Sequence, residues 1–169
     1  MILPLLIVTQ GCMLLVAYLA FSSSGDDRPE RWRSLSLRDG DLVFRRGRSL
    51  ESYAVILAEK NKGYSHIGIV VLEAGNPFVI HVEPGETSLG ANLVKKEPLG
   101  SFLQQGKASH YAIYRSRLDR ECLDRVKAEA ESFYRRKCRF DDAYDLATDR
   151  DLYCTELVAL ALLAAGVIN

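Results

Sequence analysis

Asp151-Leu152-Tyr153-Cys154-Thr155-Glu156-Leu157-Val158 is the stretch whose reading decides the fold, because it places a cysteine where the last helix should begin. From Thr155 to Val167 the residues are almost all Leu, Ala and Val, strong helix formers with apolar side chains nearly all round, which predicts a helix buried in the domain. Cys154 then falls on its first turn. The unpaired backbone N–H groups there, and the positive end of the macrodipole, favour a thiolate, the nucleophilic form of the side chain. Taken alone, the feature fits a buried structural cysteine better than a nucleophile, since free Cys is among the most buried residue types. A base elsewhere in the chain has to separate the two readings.

The composition narrows what that base could serve. The chain has 169 residues, 48% of them hydrophobic, with a formal charge of zero, which fits one globular domain with a core of its own. The balanced charge gives no support to nucleic-acid binding, and no repeat, heptad or low-complexity run is present. Cys12, Cys122, Cys138 and Cys154 contain no C-x-x-C pair, so neither a zinc ribbon nor a thioredoxin-like motif is expected, nor any metal or other cofactor. Cys122 and Cys138 flank one expected helix, which would keep them too far apart for a disulfide.

Residues 1–22 stand apart. Ile2 to Phe21 is apolar except for Thr9, Gln10, Gly11 and Tyr18, long enough to cross a bilayer, and reads as a signal or membrane anchor outside the fold. Ala20-Phe21-Ser22 offers a small-x-small cleavage site. Residues 23–31 read as a polar linker, and the domain is expected over 32–169. Arg28, Arg31 and Arg33 would by the positive-inside rule hold that domain in the cytoplasm, and Asp26, Asp27 and Glu30 offset them only weakly.

Within the domain, Leu42-Val43-Phe44 reads as a short strand after the turn Arg38-Asp39-Gly40-Asp41, with Asp41 accepting from the turn backbone. Ser49 to Lys60 carries apolar residues at helical spacing with Ser49 as N-cap. Tyr64 to Leu72 is a β-branched run typical of a buried strand, and His66 is its anomaly. Glu73 to Pro77 is a turn, and Phe78 to Glu83 a second strand of the same hairpin. Period-two alternation puts Phe78, Ile80 and Val82 on one face and Val79, His81 and Glu83 on the other. Val94 to Pro98 reads as extended, Leu99 to Gln105 as a helical turn, Tyr111 to Arg115 as a strand and Arg120 to Lys137 as an amphipathic surface helix. Helices around a central group of antiparallel strands make the class α+β.

Cysteine-dependent acyl transfer needs a thiolate, an imidazole that takes and returns its proton, a group that orients the imidazole, and donors for the oxyanion. Cys154 and His66 supply the first two, and His81 or Glu83 qualifies as the third. Glu156, on the first helical turn, is read as a partner of the helix dipole in preference to a site residue. Gly40-Asp41-Leu42-Val43-Phe44, Tyr64-Ser65-His66-Ile67-Gly68-Ile69-Val70, Phe140-Asp141 and Tyr153-Cys154-Thr155-Glu156-Leu157-Val158 come in an order that resembles the permuted papain-like hydrolases of the YiiX and YaeF type, within the NlpC/P60 superfamily. The resemblance implies a circularly permuted papain-like fold, an antiparallel sheet packed against helices, with the nucleophile Cys154 on the C-terminal helix, His66 as base and a polar residue on the next strand as third member. His81 aligns there without a gap.

The expected function is that of a cysteine hydrolase cleaving amide bonds through an acyl-enzyme, on peptidoglycan-type peptides or a related amide. Two alternatives stand beside it. One is a lipid acyl hydrolase or acyltransferase using the same Cys-His site; the other is a non-catalytic binding module tethered to the membrane. The resemblance also points to the bacterial cell envelope, with the chain membrane-anchored or periplasmic. Specificity is expected in the loops Pro84 to Gly90 and Arg139 to Asp151, which carry no readable code.

Overall fold

In the computed structural model, which describes residues 30–58, 63–84, 92–141 and 151–168, the β-branched run beginning at His66 becomes the middle of a sheet. Strand β1 (Leu42–Gly47) leads into helix α1 (Leu50–Ala58), followed by β2 (His66–Glu73) and β3 (Asn76–His81). Then come β4 (Lys95–Pro98), the short α2 (Leu99–Phe102), β5 (Ala108–Tyr114), the long α3 (Arg120–Arg135), the two-residue strands β6 (Arg139–Phe140) and β7 (Asp151–Leu152), and α4 (Cys154–Ala164). The first five strands form one antiparallel sheet in the order β4-β3-β2-β1-β5. The expectations for residues 1–22 and for most of the 23–31 linker lie outside the described residues. So do most of the two loops assigned to specificity.

Alternation along the strands divides the sheet into two faces. On one, Ile67, Ile69, Val71, Ile80 and Val82 pack with Val126, Ala130 and Phe133 of α3 and Leu157, Val158 and Ala161 of α4. On the other, Val43, Val70 and Val79 pack with Leu99, Phe102 and Leu103 around α2 and with Tyr111 and Ile113 of β5. The β2–β3 hairpin closes through Ala74 and Gly75, both with positive φ (47° and 81°), the left-handed pair that suits the twist of a two-residue turn. That turn is tighter than the five-residue one the sequence suggests, because Asn76 and Pro77 pair with Glu73 and Leu72.

Two other expectations change. β1 runs on through Arg45 and Arg46 to Gly47 rather than stopping at Phe44, since Arg45 is buried among partners of its own. Helix α4 is buried on one face only, with Leu163 48% exposed. Its Leu/Ala composition carries almost no amphipathic signal, so the sequence cannot show which side meets the sheet. The remaining helix ends follow the sequence closely: Ser49 Oγ accepts the Ser52 N–H at 3.2 Å, and Asp119 caps α3 through the Cys122 N–H at 2.8 Å. Asp41 accepts from the Arg38 N–H as expected, and its carboxylate also holds Arg115 at 2.8 Å. Among the described residues, Cys122, Cys138 and Cys154 are not joined in disulfides.

Candidate active site

The polar residues of the strands collect at one end of the second face. His66 opens β2, where it sits opposite Arg45 of β1, and directly opposed residues of an antiparallel pair project to the same side. Ser65 fixes that register: its N–H donates to the Arg45 carbonyl at 3.1 Å, and its hydroxyl accepts the Gly47 N–H at 2.9 Å. His81 ends β3 opposite Lys95 of β4. Gly68 makes the approach of the two histidines possible. A Cβ there would lie 2.4 Å from Val79 Cγ1 and 3.1 Å from both the His81 Cβ and the Ile80 carbonyl oxygen.

The result is a chain of contacts. His66 Nε2 lies 2.9 Å from His81 Nδ1, and His81 Nε2 lies 3.0 Å from Glu97 Oε1. The other Glu97 oxygen accepts from Lys107 at 2.9 Å. Glu83, the other candidate on the His81 face, is 3.8 Å from His66 Nε2, outside hydrogen-bond range. Its two oxygens are held by Arg45 and Lys95. The Phe102 ring closes the site against both imidazoles, with centroids 5.5 Å and 4.9 Å away, and carries the Arg45 guanidinium over its face at 4.3 Å. Arg45 also donates to the Phe102 carbonyl at 2.9 Å.

Burial sets the charge states. It pushes His66 well below the usual 6.5, and the nearby His81, Arg45 and Lys95 act in the same direction, so the imidazole is neutral near pH 7. His81 is also lowered by burial, against the pull of Glu97 and Glu83. Burial raises Glu97, but the hydrogen bonds from His81 and Lys107 outweigh it and bring the carboxyl to about 2. Arg45 is lowered by burial and raised again by Glu83, Glu97 and a charge on Cys154. That last interaction puts the Arg45 guanidinium within electrostatic reach of Cys154.

Cys154 is the first residue of α4 and half-buried. The helix packs on β2, the strand that His66 begins. Glu156 accepts the Tyr153 N–H at 3.3 Å across the first turn, a capping contact. His66, His81 and Glu83 place potential ligand atoms within 4.8 Å of one another. A surface groove of about 650 Å³, lined by Trp32, Phe78, Pro98 and Gln104 among others, contains none of these residues. Arg45, Lys95 and Glu97 are the members that sequence reasoning missed. Charged residues in short strands read as solvated, and only the alternation relative to His81 marks β4 as facing the site.

Residues 36–169 match the family described as permuted papain-like amidase enzyme, YaeF/YiiX, C92. The chain belongs to that family. A solved structure, that of the metalloprotein YiiX from Escherichia coli O157:H7, is similar in fold with a TM-score of 0.63 and 25% sequence identity, over 78% of this chain and 67% of that one. No curated protein matches the chain. The family is described as permuted papain-like amidases, and in this chain the last helix, which Cys154 begins, follows the strand that His66 begins. Among the described residues no helix is long and apolar enough to cross a membrane.

Proposed function

We propose that the chain is a cysteine amidase working through an acyl-enzyme, with Cys154 as nucleophile, His66 as base and His81 as the residue that orients it. The observation that carries this reading is the buried 2.9 Å contact between His66 and His81, with His66 on the strand against which the Cys154 helix packs. With His66 Nε2 engaged by His81, Nδ1 is the nitrogen left to take the Cys154 proton. The thiolate then attacks the amide carbonyl carbon, and the carbonyl π electrons move to oxygen. The N–H groups of the first turn of α4 are the donors available to that oxyanion. Collapse returns the electrons, breaks the C–N bond and passes the His66 Nδ1 proton to the departing amine. Water, deprotonated by His66, hydrolyses the thioester and restores the thiol. A neutral resting imidazole suits these steps, because the base is ready before the thiol ionises.

The metal character of YiiX does not carry over well to His66, His81 and Glu83. Arg45 and Lys95 already hold both oxygens of Glu83, and their two positive charges oppose a divalent cation there. The substrate side of the proposal is an amide of cell-envelope peptides, reached from the membrane through the apolar N-terminal stretch; a periplasm-dependent reporter fused after Asn169 is expected to be active, and intact inactive fusion in the membrane fraction would place the domain in the cytoplasm. That same stretch favours, as a second reading, an acyl group of lipid. Labelling of Cys154 with an amide-directed and a lipid-directed thiol probe, with and without membranes, separates the readings. Preference for the amide probe is expected. Preference for the lipid probe would move the substrate class to acyl chains, and reaction with neither would leave a binding module.

A further inference from the structure

The histidine pair can exchange protons in two senses, and only one of them leaves His66 useful. If His81 carries its proton on Nδ1, it donates to His66 Nε2, which forces the His66 proton onto Nδ1, the nitrogen that has to accept from the thiol. If His81 carries its proton on Nε2, its Nδ1 is an acceptor, His66 Nε2–H donates to it, and His66 Nδ1 keeps its lone pair. The choice is made beyond the pair. Glu97 presents Oε1 to His81 Nε2 at 3.0 Å, and a carboxylate can only accept. Lys107 holds the other oxygen at 2.9 Å, which fixes the carboxylate's direction and keeps it ionised.

We propose that Glu97 is a positioning residue that locks His81 as its Nε2–H tautomer, and through it locks His66 with a free Nδ1. This rests on the reading of His66 as base to Cys154. The surrounding groups leave the role to Glu97. From β1 comes Arg45, a donor already bonded to Glu83 and to the Phe102 carbonyl. After β3 comes Glu83, 3.8 Å from His66 Nε2 and held by two cations. From β4 comes Lys95, bonded to Glu83. From α2 comes only the Phe102 ring. Glu97 is thus the acceptor among the described residues bonded to His81 Nε2, and the order Glu97, His81, His66 works as a one-way relay of hydrogen bonds. The loss of such a partner in hydrolytic triads acts by the same route, through the wrong tautomer rather than lost contact.

The test reads the tautomers directly. In the full chain labelled with ¹⁵N-histidine, long-range proton–nitrogen correlation near pH 7 should show Nε2 protonated and Nδ1 unprotonated in both His66 and His81. Nδ1–H at either ring in the unsubstituted chain overturns the proposal, and this needs no variant to fold. Glu97→Ala should mix the tautomers of both rings and slow the p-nitrophenolate burst from p-nitrophenyl acetate by roughly ten- to a hundredfold, with little change in half-saturating ester concentration. Glu97→Gln, whose carbonyl can still accept, should restore most of the tautomer and the rate. Wild-type tautomers in Glu97→Ala would also overturn it. Cys154→Ala keeps the two readings apart: it should abolish the burst and leave the tautomers unchanged. A persisting burst there would remove Cys154 as nucleophile while the tautomer result stands on its own.

Discussion

The two faces of the central sheet are built from the same strands and differ by one residue of register. Facing α3 and α4, the strands present Ile67, Ile69, Ile80 and Val82, all apolar and interchangeable in kind. Facing α2, the same strands present Val70 and Val79 and then, towards one end of the sheet, His66 and His81, joined by Arg45, Glu83, Lys95 and Glu97. The first face holds the fold by area removed from water, which is non-directional and tolerant. The second holds named atoms at hydrogen-bond distance, where each partner's loss strands another buried polar group. Substitutions on the two faces should therefore separate stability from activity.

The largest expected effect of that separation falls on His81. His81→Ala should lower amide turnover by a factor on the order of ten to a thousand while the far-ultraviolet dichroism is unchanged, and Glu83→Ala should lower it much less. Steady-state rates for the two variants decide it; the reverse ranking would give the orienting role to Glu83. Gly68→Ala tests the same point through packing. Its Cβ would press on Val79 and on the backbone at Ile80, so a cost of about 1–3 kcal/mol and a displaced His81 are expected. Gly106→Ala, where a Cβ meets nothing within 4 Å, is the control in both the denaturation midpoint and the rate.

On the apolar face the prediction inverts. Leu157→Ala, in the core beneath α4, should cost about 2–5 kcal/mol of stability by urea titration and leave the rate per folded molecule nearly unchanged. A loss of rate per folded molecule comparable to that of His81→Ala would erase the distinction between the faces.

The smallest effect is in pH. Because burial lowers His66 below 6.5, the base stays unprotonated in mild acid, so the acid limb of the rate profile should lie below 6.5. The sign for stability follows from proton uptake. Folded His66 and His81 bind protons less readily than the unfolded chain, so their contribution is complete above 6.5 and declines as pH falls from there. Glu97 adds a second decline between its ordinary 4.5 and about 2. Urea midpoints from pH 8 to pH 3 should show the first decline in the unsubstituted chain, and Glu97→Gln should lack the second.

Much of this was legible in the residues. The alternation through Phe78 to Glu83 assigned His81 and Glu83 to a shared face, and the helix beginning at Cys154 was visible in its composition. Both are local properties, with periods of two and of 3.6 residues. What stayed hidden was pairing over distance. Lys95 and Glu97 face His81 only because β4 joins the hairpin edge, and the register that brings Arg45 beside His66 depends on β1 extending past two arginines that look like a strand end. Charged residues carry no sequence mark that separates a solvated edge from a buried network.

The measurement closest to the central claim is the alkylation rate of each cysteine against pH, followed by mass spectrometry of the full chain and of His66→Ala. Cys154 should react faster than Cys122 and Cys138 in the neutral range, and His66→Ala should remove its advantage while both proteins keep the same dichroism. A Cys154 that reacts no faster than Cys122, or whose rate is untouched by His66→Ala, would contradict the assignment of Cys154 and His66 as nucleophile and base.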